Sequence, residues 1–361
     1  MGATATAIIA AAVVVSPPET AAPDWQGVWQ GTVGTLPVRA CLARRGETYS
    51  VGSYYYLRQL RPIPLRQVAQ SRVWTEGEGS DAASLPTWRF HSIGPVLMGE
   101  WRSGARRLPF RLTRLPGLDS DDEPCGSRLF NIARLRPLRL TQTRAVIDGV
   151  GYTKLAGDAG PAFEEVELET FAVDGDDPAT RRINQVLRRP IAGDPAASDW
   201  FGCVTSGMNA HGRDGDFSLT IAPTMITRRW LVASEASGTY CGGPHPNYAT
   251  RSLTFDRATG AAVDLHGWLG PQAVQREADV TMLRPALRQV IMARSAQTET
   301  ECRETIGETE FWDIGLAREG LRFTPDLPHV LTACEEATLV PWAALTLFLN
   351  AAGRAGAASL R

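Results

Sequence analysis

Six cysteines are spread along this chain of 361 residues, and no two of them form a CxxC pair. An even set without that spacing argues for disulfides rather than for zinc ligation or thiol exchange, and disulfides persist in oxidising compartments. The N-terminus bears on the compartment. Residues Ala7 to Val15 form an apolar run of the length of a signal-peptide core, too short to cross a bilayer as a helix. Thr20-Ala21-Ala22 then offers small residues at the −3 and −1 positions of a cleavage site, although Met1 to Thr6 contains no Lys or Arg. The expectation is a signal peptide over 1–22, a periplasmic or secreted mature protein, and no membrane span after cleavage. Neighbourhood in the chain then pairs Cys41 with Cys125, Cys203 with Cys241 and Cys302 with Cys334, at separations of 84, 38 and 32 residues. Loops of that size contribute roughly 3 to 4.5 kcal/mol each in the chain-entropy model. The competing reading is six buried thiols.

Two textures follow. From Trp25 to about Leu140 the chain is a succession of short β-prone runs broken by Gly and Pro, without a helical period. Tyr49, Val51, Ser53 and Tyr55 share one face of such a run, and Tyr54 and Tyr56 the other. Strands at this spacing predict an antiparallel meander or small barrel over residues 23–145, its Trp and Tyr residues filling a core or lining a ligand mouth. The acidic stretch from Asp119 to Glu123 lacks EF-hand spacing and reads as a solvated loop.

Residues 146–361 mix helices and strands. Val166, Leu168 and Thr170 alternate with acidic residues, as in a half-buried strand. Asp177-Pro178 opens a helix as N-cap and first residue, with Ile183, Val186 and Leu187 as its buried stripe. Phe217–Ile221, Ile226–Ser234, Arg251–Asp256 and Ala261–Leu265 read as strands, and a second helix starts near Pro285 with Leu287, Val290 and Ile291 inward. A hairpin turns at Glu319-Gly320, and a last helix begins at Pro341 with Leu345, Phe348 and Leu349. The class is α+β: a β meander or small barrel, then a mainly antiparallel sheet with helices on one face.

The formal net charge of −2 excludes bulk attraction to nucleic acid. Lys154 is the only lysine among 37 basic residues, a skew that follows from GC-rich coding. No HExxH, GxSxG, P-loop or GxGxxG motif occurs, and no spacing brings two histidines together, so no metal, cofactor or catalytic residue is assigned. Gly207 to Asp216 reads as a polar surface loop, with Asp214 and Asp216 at a hairpin tip or holding a cation. His266 reads as structural, and Glu164, Glu165 and Glu235 are acid–base candidates only in the sense that any acid is.

The segment Tyr240-Cys241-Gly242-Gly243-Pro244-His245 is the exception. Physically it is a tight inter-strand loop, with two glycines for unusual backbone angles, a proline to fix the turn and a cysteine to tether it. His245 reads as an internal hydrogen-bond anchor of that loop, or else as a ligand contact or general base. The segment resembles the Tyr-x-Gly-Gly-Ala-His signature of an extracytoplasmic domain family of unknown general function. That family is shared by the anti-sigma factor RsiV, whose ectodomain senses lysozyme, and by accessory domains of the peptidoglycan deacetylase PdaC. Further matches run in order over about 160–350: Asp174 to Leu187 with Ile183-Asn184, Leu253 to Asp256 with Thr259-Gly260, and Phe323-Thr324-Pro325 through Val340-Pro341-Trp342. Pro244 departs from the usual Ala. The resemblance implies a binding protein whose ligand residues include Tyr240, Gly242, Gly243 and His245 and whose partner is peptidoglycan or a lysozyme-like hydrolase. The alternatives are a wall-glycan hydrolase or deacetylase using His245 with a carboxylate, and a structural envelope protein.

Overall fold

The computed structural model describes residues 25–46, 49–77, 84–117, 123–278 and 280–360. The expected signal peptide over 1–22 and the acidic stretch from Asp119 to Asp122 lie outside the described residues.

The β-prone runs become β1 (Gly27–Val33), β2 (Leu36–Arg45), β3 (Tyr49–Tyr56), β4 (Ile63–Gln67), β5 (Val73–Glu76), β6 (Thr87–Ser92), β7 (Val96–Ser103) and β8 (Arg106–Arg114). They close into an antiparallel barrel in chain order, sealed where Gly31 of β1 lies opposite Leu112 of β8. Closure leaves the sheet without an open edge. Strand alternation splits the tyrosines of β3 as the sequence indicates: Tyr54 points inward, and Tyr55 outward against Phe130. The aromatic residues fill a core rather than line a mouth, since Trp29, Trp74, Trp88 and Tyr54 are at most 1% exposed. Glu76 inside the barrel accepts hydrogen bonds from Tyr54 Oη at 2.7 Å and from Trp88 Nε1 at 2.9 Å. Burial, and then that carboxylate, push the Tyr54 hydroxyl far above its ordinary pKa.

After the barrel comes α1 (Arg128–Asn131), N-capped by Ser127. The Cys41–Cys125 bridge and a 2.5 Å bond from Tyr55 Oη to the Phe130 carbonyl fasten this segment to the barrel wall. All three disulfides pair as chain neighbourhood indicates, and none of the six cysteines is a free thiol.

The second unit is built on β9 (Arg139–Ile147), β10 (Val150–Asp158), β11 (Val166–Val173), β12 (Asp216–Ile226), β13 (Trp230–Tyr240), β14 (Asn247–Asp256) and β15 (Ala261–Ala262). They form one seven-stranded sheet in the order β15-β14-β13-β12-β11-β10-β9. Its first strand starts at Arg139, ahead of residue 145, and turns at Asp148-Gly149, both with positive φ (51° and 75°). That dipeptide is the turn type that hairpins favour. All pairings are antiparallel except β11 with β12. A parallel pair needs a crossover, and here it is α2 (Pro178–Leu187) followed by α3 (Asp199–His211). Asp177 caps α2 through the Ala179 and Thr180 amides, and Ile183 and Leu187 are buried; Val186 is 48% exposed, so the inward stripe is narrower than expected.

Helix α3 corrects the sequence reading of Gly207 to Asp216. Gly207 and Met208 are buried in its last turns, and Gly212 ends it in the left-handed region at φ 73°. A Cβ on Gly212 would lie 2.2 Å from the Gly52 carbonyl of the barrel, so the helix end and the barrel meet backbone to backbone. Asp214 lies between α3 and β12 rather than at a hairpin tip, and both its carboxylate oxygens face a guanidinium. It pairs with the guanidinium of Arg134, which is 0% exposed.

The remaining chain supplies the hairpin β16 (Val274–Glu277) and β17 (Val280–Leu283), then α4 (Pro285–Met292) and α5 (Thr300–Glu308). A three-stranded sheet of β18 (Trp312–Leu316), β19 (Gly320–Pro325) and β20 (Thr338–Pro341), with α6 (Trp342–Leu345) and α7 (Ala351–Ala358), completes it. Leu287, Ile291, Ile314 and Phe323 pack with Trp230 and Val232 of β13, so this layer covers one end of the sheet. Three boundaries differ from the sequence reading. Thr227 to Arg229 is a turn that assigns Ile226 to β12, and β15 stops at Ala262 because Asp264 caps a 3-10 turn. The last helix is two, because Asn350 caps a new start at Ala351.

Candidate functional site

Residues paired across adjacent strands project to the same face of a sheet. On one face of the seven-stranded sheet, Leu155, Val166 and Leu168 pack against Trp200, Phe201 and Val204 of α3. The opposite face is largely bare. Thr143 lies opposite Lys154, Glu169 opposite Thr220, Thr220 opposite Ala236, and Ala236 opposite Thr250, and all six are exposed. The acidic residues that alternate with Val166, Leu168 and Thr170 all point to this side.

Three depressions mark this bare face. At the seam with the C-terminal layer, a groove of about 430 Å³ runs between Ser234, Thr250 and Ser252 on one side and Arg318, Arg322 and Thr324 on the other. Asp148 closes its end, accepting from the Ile226 amide at 2.9 Å and from Arg318 Nη2 at 2.9 Å. Those two contacts hold its carboxyl below the usual range, the amide first. Near the seam, burial raises the Asp313 carboxyl, which accepts from the Ser252 amide at 2.8 Å. A second hollow of about 240 Å³ surrounds Lys154. The third, of about 180 Å³, lies at the far end beside the loop 241–246 and is lined by Glu165, Glu167, Asp216, Tyr240, Pro246 and Tyr248. Tyr248 is 60% exposed.

The loop at that end is rigidly tied. Cys241 bonds to Cys203 on α3. Gly242 has φ 89°, and a Cβ there would sit 2.5 Å from the Ala210 Cβ, so only glycine fits. A Cβ on Gly243 would meet only the His245 carbonyl, at an ordinary 3.9 Å, so the two glycines are not equivalent. Tyr240 stacks on His211 (5° between planes) with the Arg213 guanidinium 5.7 Å from its ring, which fixes its direction along the groove. Of the loop residues singled out in the sequence, Tyr240 lines the acidic groove, whereas Gly242 packs against α3 and Gly243 does not line it.

His245 is placed differently from the sequence reading. It is exposed rather than an internal anchor: Nδ1 lies 3.2 Å from the carbonyl of its neighbour Pro246, and its ring stacks on His329 at 3.9 Å and 4°. This pairing of two histidines from distant segments has no signature in the sequence. Parallel rings do not converge on a metal ion, and no group of three metal-ligating side chains occurs among the described residues. His266 is structural, bonded to Asp264 at 2.9 Å and to the Trp312 carbonyl at 3.0 Å. The acid–base candidates are dispersed: Glu164 pairs with Arg61, Glu235 with Arg251, and only Glu165 reaches the groove. Sequence reasoning missed Glu167 and Tyr248 and read Asp216 only as a hairpin-tip or cation-holding residue, although the alternation around Val166 already placed Glu167 away from the core.

The fold thus joins a closed barrel to an α+β unit whose sheet leaves one face largely bare. Comparison of the sequence with protein-family models gives no match, and comparison with curated proteins gives none. Among solved structures the chain is similar to a member of the DUF3298 family from Bacteroides fragilis, at 13% identity and a TM-score of 0.38, covering 62% of this chain and 96% of that one. It is similar also to a DUF3298 family protein from Pseudomonas aeruginosa, at 13% identity and a TM-score of 0.36, covering 60% and 97%.

Proposed function

We propose that this protein is an exported binding protein of the cell envelope, which receives a basic, lysozyme-like hydrolase on the bare face of its sheet. The observation that carries the reading is the groove at the loop 241–246, where three carboxylates, Glu165, Glu167 and Asp216, stand beside Tyr240 and Tyr248. Carboxylates with tyrosines suit lysine and arginine side chains through charge pairing and cation–π contact. Tyrosine also gives contact area at low entropic cost. The loop that borders the groove is held by a disulfide and a glycine contact, so little ordering remains to oppose binding. Three disulfides and the apolar N-terminal run support an oxidising, extracytoplasmic location. The resemblance of Tyr240 to His245 to the RsiV and PdaC signature supports the choice of partner. Among the described residues no carboxylate is bonded to His245, so the hydrolase or deacetylase reading gains nothing from the geometry.

The test is retention of the purified protein on immobilised lysozyme and its co-sedimentation with peptidoglycan sacculi. Retention on lysozyme that salt elutes is expected. Sedimentation with sacculi alone would replace the protein partner by the glycan, and loss from both matrices would refute the reading.

A further inference from the structure

The hollow around Lys154 lies apart from the acidic groove. Lys154 of β10 stands opposite Phe171 of β11, and Glu169 stands opposite Ala156, so the two charges are diagonal neighbours on one face. Side chains so placed are within reach of each other. Yet no ion pair joins them, and both are exposed. The hollow between them holds about 240 Å³ and also exposes threonine hydroxyls at Thr143 and Thr220. Its floor is Phe171, 1% exposed. A volume below about 300 Å³ is too small for a drug-sized ligand.

We propose that this hollow is a binding site for a small zwitterion of the α-amino-acid type. The ligand's carboxylate meets the Lys154 ammonium, its ammonium meets the Glu169 carboxylate, and a short side chain rests on Phe171. A lone anion would satisfy Lys154 and leave Glu169 unanswered, and a lone cation the reverse, so affinity depends on both charges being present in one molecule. The site lies on the same face as the proposed partner groove but shares no lining residue with it, and either can fail without the other.

Because Lys154 is the only lysine, reductive methylation with ¹³C-formaldehyde places one lysine probe on the intact protein and keeps its charge. The signal is assigned by its absence in Lys154→Arg. Alanine, as L and D isomers, acetate and methylamine are titrated against it. The expected result is a saturable shift with alanine, with acetate and methylamine each weaker by roughly tenfold or more. Glu169→Gln, an exposed isosteric change, is expected to abolish the preference for alanine over acetate. No saturable shift with either alanine isomer, or equal shifts with alanine and acetate in the unsubstituted protein, overturns the proposal.

Discussion

Replacing Arg134 by methionine removes a fully buried side chain that joins the barrel, the connecting segment and the sheet unit. Every donor of its guanidinium is used: Nε to the Leu60 carbonyl at 3.0 Å, Nη1 to Asn131 Oδ1 and Asp214 Oδ1 at 2.9 Å each, and Nη2 to the Ala162 carbonyl at 2.7 Å and to Asp214 Oδ2. The group also lies 4.4 Å from the centroid of the Phe163 ring. Burial pushes the Asp214 carboxyl up, and the guanidinium draws it back. Methionine preserves much of the aliphatic stem but leaves that carboxylate, two backbone carbonyls and the Asn131 amide oxygen without this donor. Removing one partner of a buried pair costs about 3–5 kcal/mol, and each orphaned carbonyl adds about 1–3 kcal/mol. The Asp214 side chain keeps 15% of its exposure and can recover part of this in water. The net loss expected is about 4 kcal/mol, or roughly 5 °C in Tm for a chain of this length. Thermal unfolding followed by near-UV circular dichroism reads it, with the barrel tryptophans as reporters. The double variant Arg134→Met with Asp214→Leu is expected to regain part of the loss, because the stranded charge is gone. A shift below about 2 °C, or a double variant no more stable than the single one, would refute the reasoning.

Other perturbations separate neighbouring contributions. Asp148→Asn is expected to destabilise at neutral pH. The folded carboxyl lies below its unfolded value, so its contribution is present above about pH 3.9 and is lost as pH falls through the folded pKa. Urea midpoints of the variant and the parent should therefore converge in acid, and a constant gap would contradict this. Gly242→Ala is expected to cost about 1–3 kcal/mol from its left-handed backbone, with more from the Ala210 clash, while Gly243→Ala changes little. Equal urea midpoints for these two variants would count against the loop geometry. Reduction of Cys203–Cys241 is expected to loosen the loop 241–246, seen as faster amide exchange at Tyr240; unchanged exchange would show that the bridge does not hold it.

What the sequence reveals of this fold is mostly local. The Asp177-Pro178 cap, the alternation through Tyr54 and Tyr55, and the cysteine neighbourhoods are set within a few residues or one unit, and they stand in the structure as read. Helix α3 escapes because Gly202 and Gly207 weaken its propensity, while Trp200, Val204 and Met208 at four-residue spacing carry the burial that forms it. The Asp148-Gly149 turn is legible as a hairpin signal and places β9 in the sheet. The site is less legible. Glu167 and Asp216 share a groove because β11 and β12 pair in parallel across two helices, a register that no local pattern specifies. The meeting of His245 with His329 depends likewise on packing between distant layers.

The most direct test of the binding surface is calorimetric titration of a basic lysozyme into the protein and into the variant Glu165→Gln/Glu167→Gln/Asp216→Asn, at low and high salt. All three carboxylates line the groove, and none belongs to the folded core. The result expected is binding that weakens with salt in the parent and by roughly tenfold or more in the variant. Absence of binding, or an affinity that the three substitutions leave unchanged, would contradict the assignment of this face as the partner site.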